Sequence, residues 1–167
     1  MQNISLSPHF SLSEFTESPT ALKHGISNVP PPEAVKNLQA LCNGTLEPLR
    51  VGLDLPVIIT SGFRTKALNA LLAHASEHSQ HMVGQAADFY VGAGESDSSR
   101  RELLMKAFRL ILTSPDIDFD QLILYPSFIH VSYVSKEKNR RGILIGRGDG
   151  KLGYGRITRS NALKINS

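Results

Sequence analysis

Apolar residues recur with a helical period in several stretches of the chain. In "VPPPEAVKNLQALC", Val35, Leu38 and Leu41 share one helical face, and the spacing in "RRELLMKAFRLILTS" is similar. Pro48 is expected to break or kink the first of these helices because proline has no N–H to donate. Two shorter helices are predicted in "FSLSEFTES", capped by Ser11 or Ser13, and in "TKALNALLA".

Other stretches alternate apolar and polar residues or form short apolar runs, which predicts strands. They are "LPVIIT", "QAADFYV", "FDQLILY", "FIHVSYV" and "RGILIG". Helices come first, and short strands separated by one helix and short turns follow. This order predicts an α+β fold with a small, mainly antiparallel sheet flanked by helices.

Length and charge add limits on domain number and on partners. A chain of 167 residues with 41% hydrophobic and 20% charged content suits one globular domain, which we expect over residues 1–145. Residues 146–167 are expected to form a basic, glycine-containing C-terminal extension. The net charge of +3 is mild, so nucleic-acid binding rests on charge alone and we expect no nucleic-acid partner.

The ends and the apolar runs of the chain bear on its location. The first basic residue is Lys23, and no continuous apolar run precedes it, so we expect no secretory signal and synthesis in the cytoplasm. No apolar run has the length of a membrane span. The pattern predicts no particular oligomeric state.

The stretch "SQHMVGQAADF" carries two potential metal ligands, His81 and Asp88. On a continuous helix, seven residues would separate them by roughly 10 Å along the axis, too far for one ion. The chain must therefore turn between them, and Gly84 allows such a turn. In the strand that follows, Asp88 is expected to face a cleft while Ala87 and Phe89 face the core.

A third ligand is expected from His130 in "FIHVSYV", because a histidine in an apolar strand needs a polar partner. With a single cysteine in the chain, a metal would be held by histidine and carboxylate. Two histidines and one carboxylate leave a fourth position for water, as in catalytic zinc sites. The alternative is a buried histidine bonded to an aspartate without any metal.

Four motifs together resemble a known family. "ITSGFRTKALN", "SQHMVGQAADF", "FDQLI" and "IHVSY" follow one another as in zinc D-alanyl-D-alanine carboxypeptidases and related phage endolysins, whose fold the hedgehog signalling domain shares. The resemblance covers roughly residues 9 to 145. It implies a zinc ion at the sheet face.

The resemblance also implies roles for individual residues. Zinc would be bound by His81, Asp88 and His130, Arg64 would grip the substrate carboxylate, and Ser79 and Gln80 would lie at the rim of the site. A guanidinium matches a carboxylate with two hydrogen bonds, which supports the role of Arg64. The alternative for Arg64 is a salt bridge to a nearby acid that holds the turn.

One departure from the family pattern concerns the general base. Members usually carry an acid a few residues before the last histidine ligand, but here that window reads "LYPSFI", with Tyr125 in place of the carboxylate. Three residues could substitute for it: Asp120, which matches a structural position of the family, Glu77 in the preceding loop, and Tyr125 itself. A positioned base contributes about 10² to 10⁴ in rate, so catalysis is affected more than metal binding.

The function expected from these features is that of a zinc metallopeptidase acting on peptidoglycan stem peptides, of the carboxypeptidase or endolysin type. Phage-type release would bring such an enzyme to the cell wall. The alternative is a zinc-stabilised module with weak or no catalysis that binds cell wall or a protein. The acid-free window favours this alternative, whereas the full set of three ligands favours the enzyme.

Overall fold

The computed structural model describes residues 4–73, 75–94, 96–146 and 154–165. The helices are α1 Leu12–Thr16, α2 Pro19–Lys23, α3 Pro32–Leu41, α4 Glu47–Leu53, α5 Lys66–Leu71, α6 Asp97–Thr113 and α7 Arg159–Ala162. The strands are β1 Ser5–Ser7, β2 Phe10–Ser11, β3 Val57–Ser61, β4 Ala86–Val91, β5 Gln121–Leu124, β6 Ile129–Ser132, β7 Gly142–Gly146 and β8 Tyr154–Arg156. A π-helical turn, Cys42–Leu46, joins α3 to α4, and a 3-10 helix, Gln80–Val83, precedes β4.

The helix boundaries follow local chemistry. The side chain of Ser11 caps α1 in a reciprocal arrangement with Glu14, as the sequence predicted, and Thr65 caps α5. Pro48 lies in the first turn of α4, directly after the π-helical turn, and the carbonyl of Gly44, four residues before it, accepts from Asp118 N instead. The predicted break at Pro48 is therefore a π-helical turn, after which the chain continues as a helix.

The main sheet has six strands in the order β3-β4-β6-β5-β7-β8. The prediction of an α+β fold is confirmed, but the sheet is mixed and not simply antiparallel. Strand β7 runs parallel to β5, whereas the other four pairs of neighbouring strands in the sheet are antiparallel. The parallel pairing of β5 with β7 requires no crossover helix, because β6, which lies between them in the chain, runs back and returns the chain to the end of the sheet where β5 begins. At that end Arg140 and Arg141 bond the side chains of Asp120 and Asp118, which brings the start of β7 beside the start of β5.

The two faces of strand β4 have different surroundings. Ala87, Phe89 and Val91 are fully buried in the main hydrophobic cluster, together with Leu104 and Phe108 of α6. Asp88, between Ala87 and Phe89, faces the other way. The predicted alternation along this strand is confirmed, and it leaves one face of the sheet for polar chemistry.

The C-terminal described segment packs against the domain. Ile157 N donates to Ile143 O, Ala162 is fully buried, and Arg109 Nη2 donates to Ile165 O at 2.7 Å. The division between residues 1–145 and 146–167 stays a prediction, and the glycine-rich residues 147–153 lie outside the described part. Within the described ranges, no helix combines the length and the apolar composition that crossing a bilayer requires.

Gly84 is the residue that turns the chain from the 3-10 helix into β4. It adopts a φ of +72°, and a Cβ there would overlap the carbonyl oxygen of Ala34 in α3. Asn37 Nδ2 donates to Val83 O at 2.8 Å, which ties the same turn to α3. The turn therefore needs both a left-handed backbone and the absence of a side chain.

Replacing Gly84 with alanine should destabilise the protein more than replacing Gly25. Both residues have positive φ, but a Cβ at Gly25 meets nothing within 4 Å. We expect Gly25→Ala to cost about 1–2 kcal/mol of backbone strain, and Gly84→Ala to cost about 1–3 kcal/mol more through overlap with α3. Urea unfolding of both variants measures the difference, and equal losses would contradict the close approach.

Candidate metal centre

The register of β4 against β6 brings two of the predicted ligands together. Asp88 and His130 are direct partners across these antiparallel strands, so their side chains lie on the same face. His130 Nδ1 is 2.7 Å from Asp88 Oδ1, which is a hydrogen-bond distance.

His81 joins this pair from the 3-10 helix, because the chain turns at Gly84 before it enters β4. Its Nε2 atom lies 3.3 Å from His130 Nδ1 and 3.4 Å from Asp88 Oδ1. The three residues thus form a compact group on the face of the sheet opposite the core.

The environment of His81 fixes which ring nitrogen faces the group. Its Nδ1 is 2.7 Å from the carbonyl oxygen of Gly62, which can only accept, so Nδ1 carries the proton and Nε2 presents its lone pair. Burial lowers the pKa of His81 despite the neighbouring Asp88, which favours the neutral imidazole. A neutral histidine held by a backbone carbonyl is the usual form of a metal ligand.

The donor atoms fit the dimensions of a zinc site. One ligand atom from each of His81, Asp88 and His130 lies within 4.8 Å of the other two. Tetrahedral coordination at about 2.0–2.1 Å places ligand atoms about 3.3–3.4 Å apart, which matches both separations from His81. The 2.7 Å separation between His130 and Asp88 would lengthen when their shared proton gives way to a cation.

Asp88 divides its two oxygens between the histidines and Arg64. Its Oδ2 accepts a hydrogen bond from Arg64 Nη2 at 2.9 Å, while Oδ1 faces the histidines. Burial opposes ionisation, but the histidines and their hydrogen bonds hold the pKa of Asp88 well below its usual range. The carboxylate is therefore charged and oriented without a metal.

Arg64 is buried beside the group rather than displayed in open solvent. Its Nε donates to Ser61 Oγ at 2.9 Å, and its side chain is 13% exposed. Burial lowers the pKa of Arg64, partly offset by Asp88, yet a guanidinium stays protonated at neutral pH. The salt-bridge alternative for Arg64 thus has a partner in Asp88, and substrate binding by Arg64 stays a prediction.

Ser79 and Gln80 lie immediately before His81, at the start of the 3-10 helix. Gln80 Nε2 donates to Asp120 Oδ2 at 3.0 Å, so its amide is directed toward a neighbouring network. The backbone of Ser79 accepts from Met82 N and donates to Ser76 O. Their roles at the substrate rim stay predictions.

Asp120 is the centre of that network. It is 1% exposed and receives Arg140 Nε at 2.8 Å, Arg140 Nη2 and Gln80. Burial raises its pKa, but the hydrogen bonds from Arg140 and Gln80 outweigh burial, and the pKa lies below its usual value. These contacts favour a structural role that connects β5, β7 and the segment carrying His81.

Tyr125 follows β5 directly and continues its alternation, so its side chain lies on the face of Ile123, the strand partner of His130. Its ring stacks on Phe128 with the centroids 4.3 Å apart. A Cβ at Gly146 would overlap the same ring, so glycine there leaves space for the tyrosine. Tyr125 is therefore packed between Phe128 and Gly146, in the window where the resemblance predicted a carboxylate.

Glu77, the third candidate for the general base, lies outside the group, as do other histidines of the chain. Glu77 is exposed in a turn, and within the described ranges no hydrogen bond or ion pair links it to the three ligands. His78 is also exposed, and His74 lies outside the described residues. His9, which had no evident partner in the sequence, pairs with Glu47.

Sequence reasoning missed the contacts that support the ligands. Arg140, at the end of the charged run "KEKNRR", bonds the buried Asp120. Asp120 directly precedes the apolar strand β5, and a buried acid needs a cationic partner, which was the available signal. The hydrogen bond between His81 and the carbonyl of Gly62 could not be predicted, because the residue type does not indicate which backbone carbonyl a side chain will meet.

Comparison with known proteins agrees with the motifs. A family model described as Peptidase M15 matches residues 8–132. A comparison with curated proteins finds no match. The matched region contains all three residues of the metal group, and the resemblance to zinc D-alanyl-D-alanine carboxypeptidases is confirmed at the level of this family.

Replacing His81 with alanine should abolish binding of one zinc ion per chain. His81 supplies the buried Nε2 atom, and two remaining ligands hold zinc weakly. Metal analysis after dialysis measures the stoichiometry, and His78→Ala is the matched control because His78 is exposed nearby. Full zinc content in His81→Ala would contradict the assignment of this ligand.

Asp120→Asn should lower stability in a pH-dependent way. Because folding lowers the pKa of Asp120, its charge stabilises the fold above the unfolded pKa of about 3.9, and this contribution disappears as the pH falls through the folded value. We expect a loss of about 1–3 kcal/mol at pH 7 that shrinks below about pH 4. Urea unfolding across this range measures it.

Asp116→Asn, an exposed neighbour, is the control for this experiment and should change little. A constant loss from pH 7 to pH 3 would show that the charge of Asp120 contributes nothing.

Proposed function

This chain belongs to the peptidase M15 family, and we propose that it is a zinc-dependent peptidase that cleaves peptidoglycan stem peptides, of the D-alanyl-D-alanine carboxypeptidase or endolysin type. One observation carries the proposal: His81, Asp88 and His130 offer three donor atoms with zinc-like spacing on one face of the sheet. Membership of the family supports hydrolysis of a peptide bond, and the stem peptide is our inference.

The three ligands leave one side of the site for water and substrate. Bound zinc would supply a water molecule of lowered pKa and would polarise the scissile carbonyl. The carbonyl of Gly62 would hold His81 with its Nε2 lone pair available to a bound ion, and the hydrogen bond from Arg64 would hold one oxygen of Asp88 away from that ion. Both contacts favour a site in which each residue donates one atom.

Arg64 has a further donor for the substrate. Its Nε and Nη2 atoms are occupied by Ser61 and Asp88, whereas Nη1 makes no hydrogen bond within the described part of the chain. We propose that Nη1 binds the substrate carboxylate or carbonyl next to the ion. A bidentate grip would require Arg64 to release one of its present partners.

Three residues are candidates for the proton acceptor. Asp120 is held by Arg140 and has a lowered pKa, which makes it a weak base, and Glu77 is exposed in a turn. Tyr125 occupies the window where the resemblance predicts the acid, and a phenol with a pKa near 10 is suited to donating a hydrogen bond rather than taking a proton. We therefore propose that Tyr125 orients the substrate carbonyl.

The second candidate is a zinc-stabilised binding module with weak or no catalysis. The observation that favours it is the packing of Tyr125 against Phe128 and Gly146 in the position of the usual acid. Such a module would bind stem peptides or a protein through the same face. For either candidate, we propose the cell wall as the setting, reached by phage-type release.

Digestion of purified muropeptides by the zinc-loaded protein tests the proposal. We expect a stem-peptide cut, detected by mass spectrometry as loss of an alanine or as two fragments, that disappears after treatment with a chelator. Readdition of zinc should restore it. Intact muropeptides despite one bound zinc per chain would reject the enzyme and favour the binding module.

A further inference from the structure

A cavity of about 260 Å³ lies beside the metal group, between the turn joining α1 to α2, the end of β3, and α5. It shares a wall with the candidate site. Gly62, whose carbonyl accepts from His81, and Arg64, which bonds Asp88, both line it. A substrate group in this cavity would therefore lie next to the reacting peptide bond.

The cavity is lined by one acidic and one basic residue, which differ in their partners. Glu17 and Arg64 are the two ionisable residues among those that line it. The guanidinium of Arg64 is compensated by Asp88, whereas the exposed carboxylate of Glu17 has no hydrogen bond or ion pair within the described ranges. An uncompensated carboxylate at the mouth of a concave site favours a cation.

The walls of the cavity suit a long side chain with a polar end. Leu68 and Leu72 supply apolar surface on one side, while Ser18 and Thr20 place hydroxyl groups beside Glu17 along the chain. A methylene chain can pack on the leucines and direct its charged end to these oxygens. The volume is below that of pockets for whole ligands and suits one side chain.

We infer that this cavity, the Glu17 pocket, binds a substrate side chain that ends in a primary amine, as in a diamino acid of the stem peptide. Glu17 would pair with the ammonium group, and the leucines would contact its methylene chain. This inference rests on the proposed function, because it specifies a side chain of the stem peptide that the site would recognise. It makes Glu17 a specificity residue and not a base.

A pair of synthetic stem peptides tests the inference, one with a free lysine amine and one acetylated on that amine. We expect the zinc-loaded protein to show a KM about two- to fivefold lower for the free amine, the range of an exposed ion pair. Glu17→Gln should remove this preference by raising the KM for the free amine to that of the acetylated peptide. The matched control Glu33→Gln, on an exposed residue of α3, should keep it.

Calorimetric binding of the same two peptides separates this inference from the proposed function, because binding needs no turnover. If the protein binds the free-amine peptide more tightly and Glu17→Gln removes this difference, the pocket is supported. If the same peptides are not cleaved, the peptidase is rejected. Equal binding of both peptides would overturn the pocket even if cleavage occurs. A Glu17→Gln variant that loses kcat equally on both peptides would also overturn it and would identify Glu17 as the base.

Discussion

The pairing of Asp88 with His130 across β4 and β6 is the constraint on which the candidate site depends. A shift of one residue would turn Asp88 into the core and bring Ala87 or Phe89 to the metal face. The buried face of β4 prevents such a shift, since Ala87, Phe89 and Val91 are fully enclosed. Core packing thus sets the positions of two proposed ligands independently of any metal.

The electrostatics of the group follow from this arrangement. A carboxylate taken out of water needs partners, and Asp88 finds them in Arg64 on one oxygen and in the histidines on the other. His81, buried and neutral, contributes a lone pair and not a second positive charge. The site is therefore charged and ordered in a way that a divalent cation can complete.

The sequence predicted what depends on local pattern. The period of two in "QAADFYV", the capping residues of α1 and the need for a turn at Gly84 are all visible in residue types, and the structure contains each of them. The parallel pairing of β5 with β7 was missed, because it depends on Arg140 and Arg141 meeting Asp120 and Asp118 across about twenty residues. Arg64 was ambiguous for a similar reason, since its partner is 24 residues away.

The mixed sheet has a consequence for the order in which the protein folds during its synthesis. The ligands and their strands are complete once His130 and β6 have emerged, but β5 keeps an unpaired edge until β7 arrives. The buried charge of Asp120 is likewise uncompensated until Arg140 has been synthesised. A nascent chain could thus assemble its ligand group while one sheet edge remains open to other strands, so the last residues of the domain protect it against aggregation.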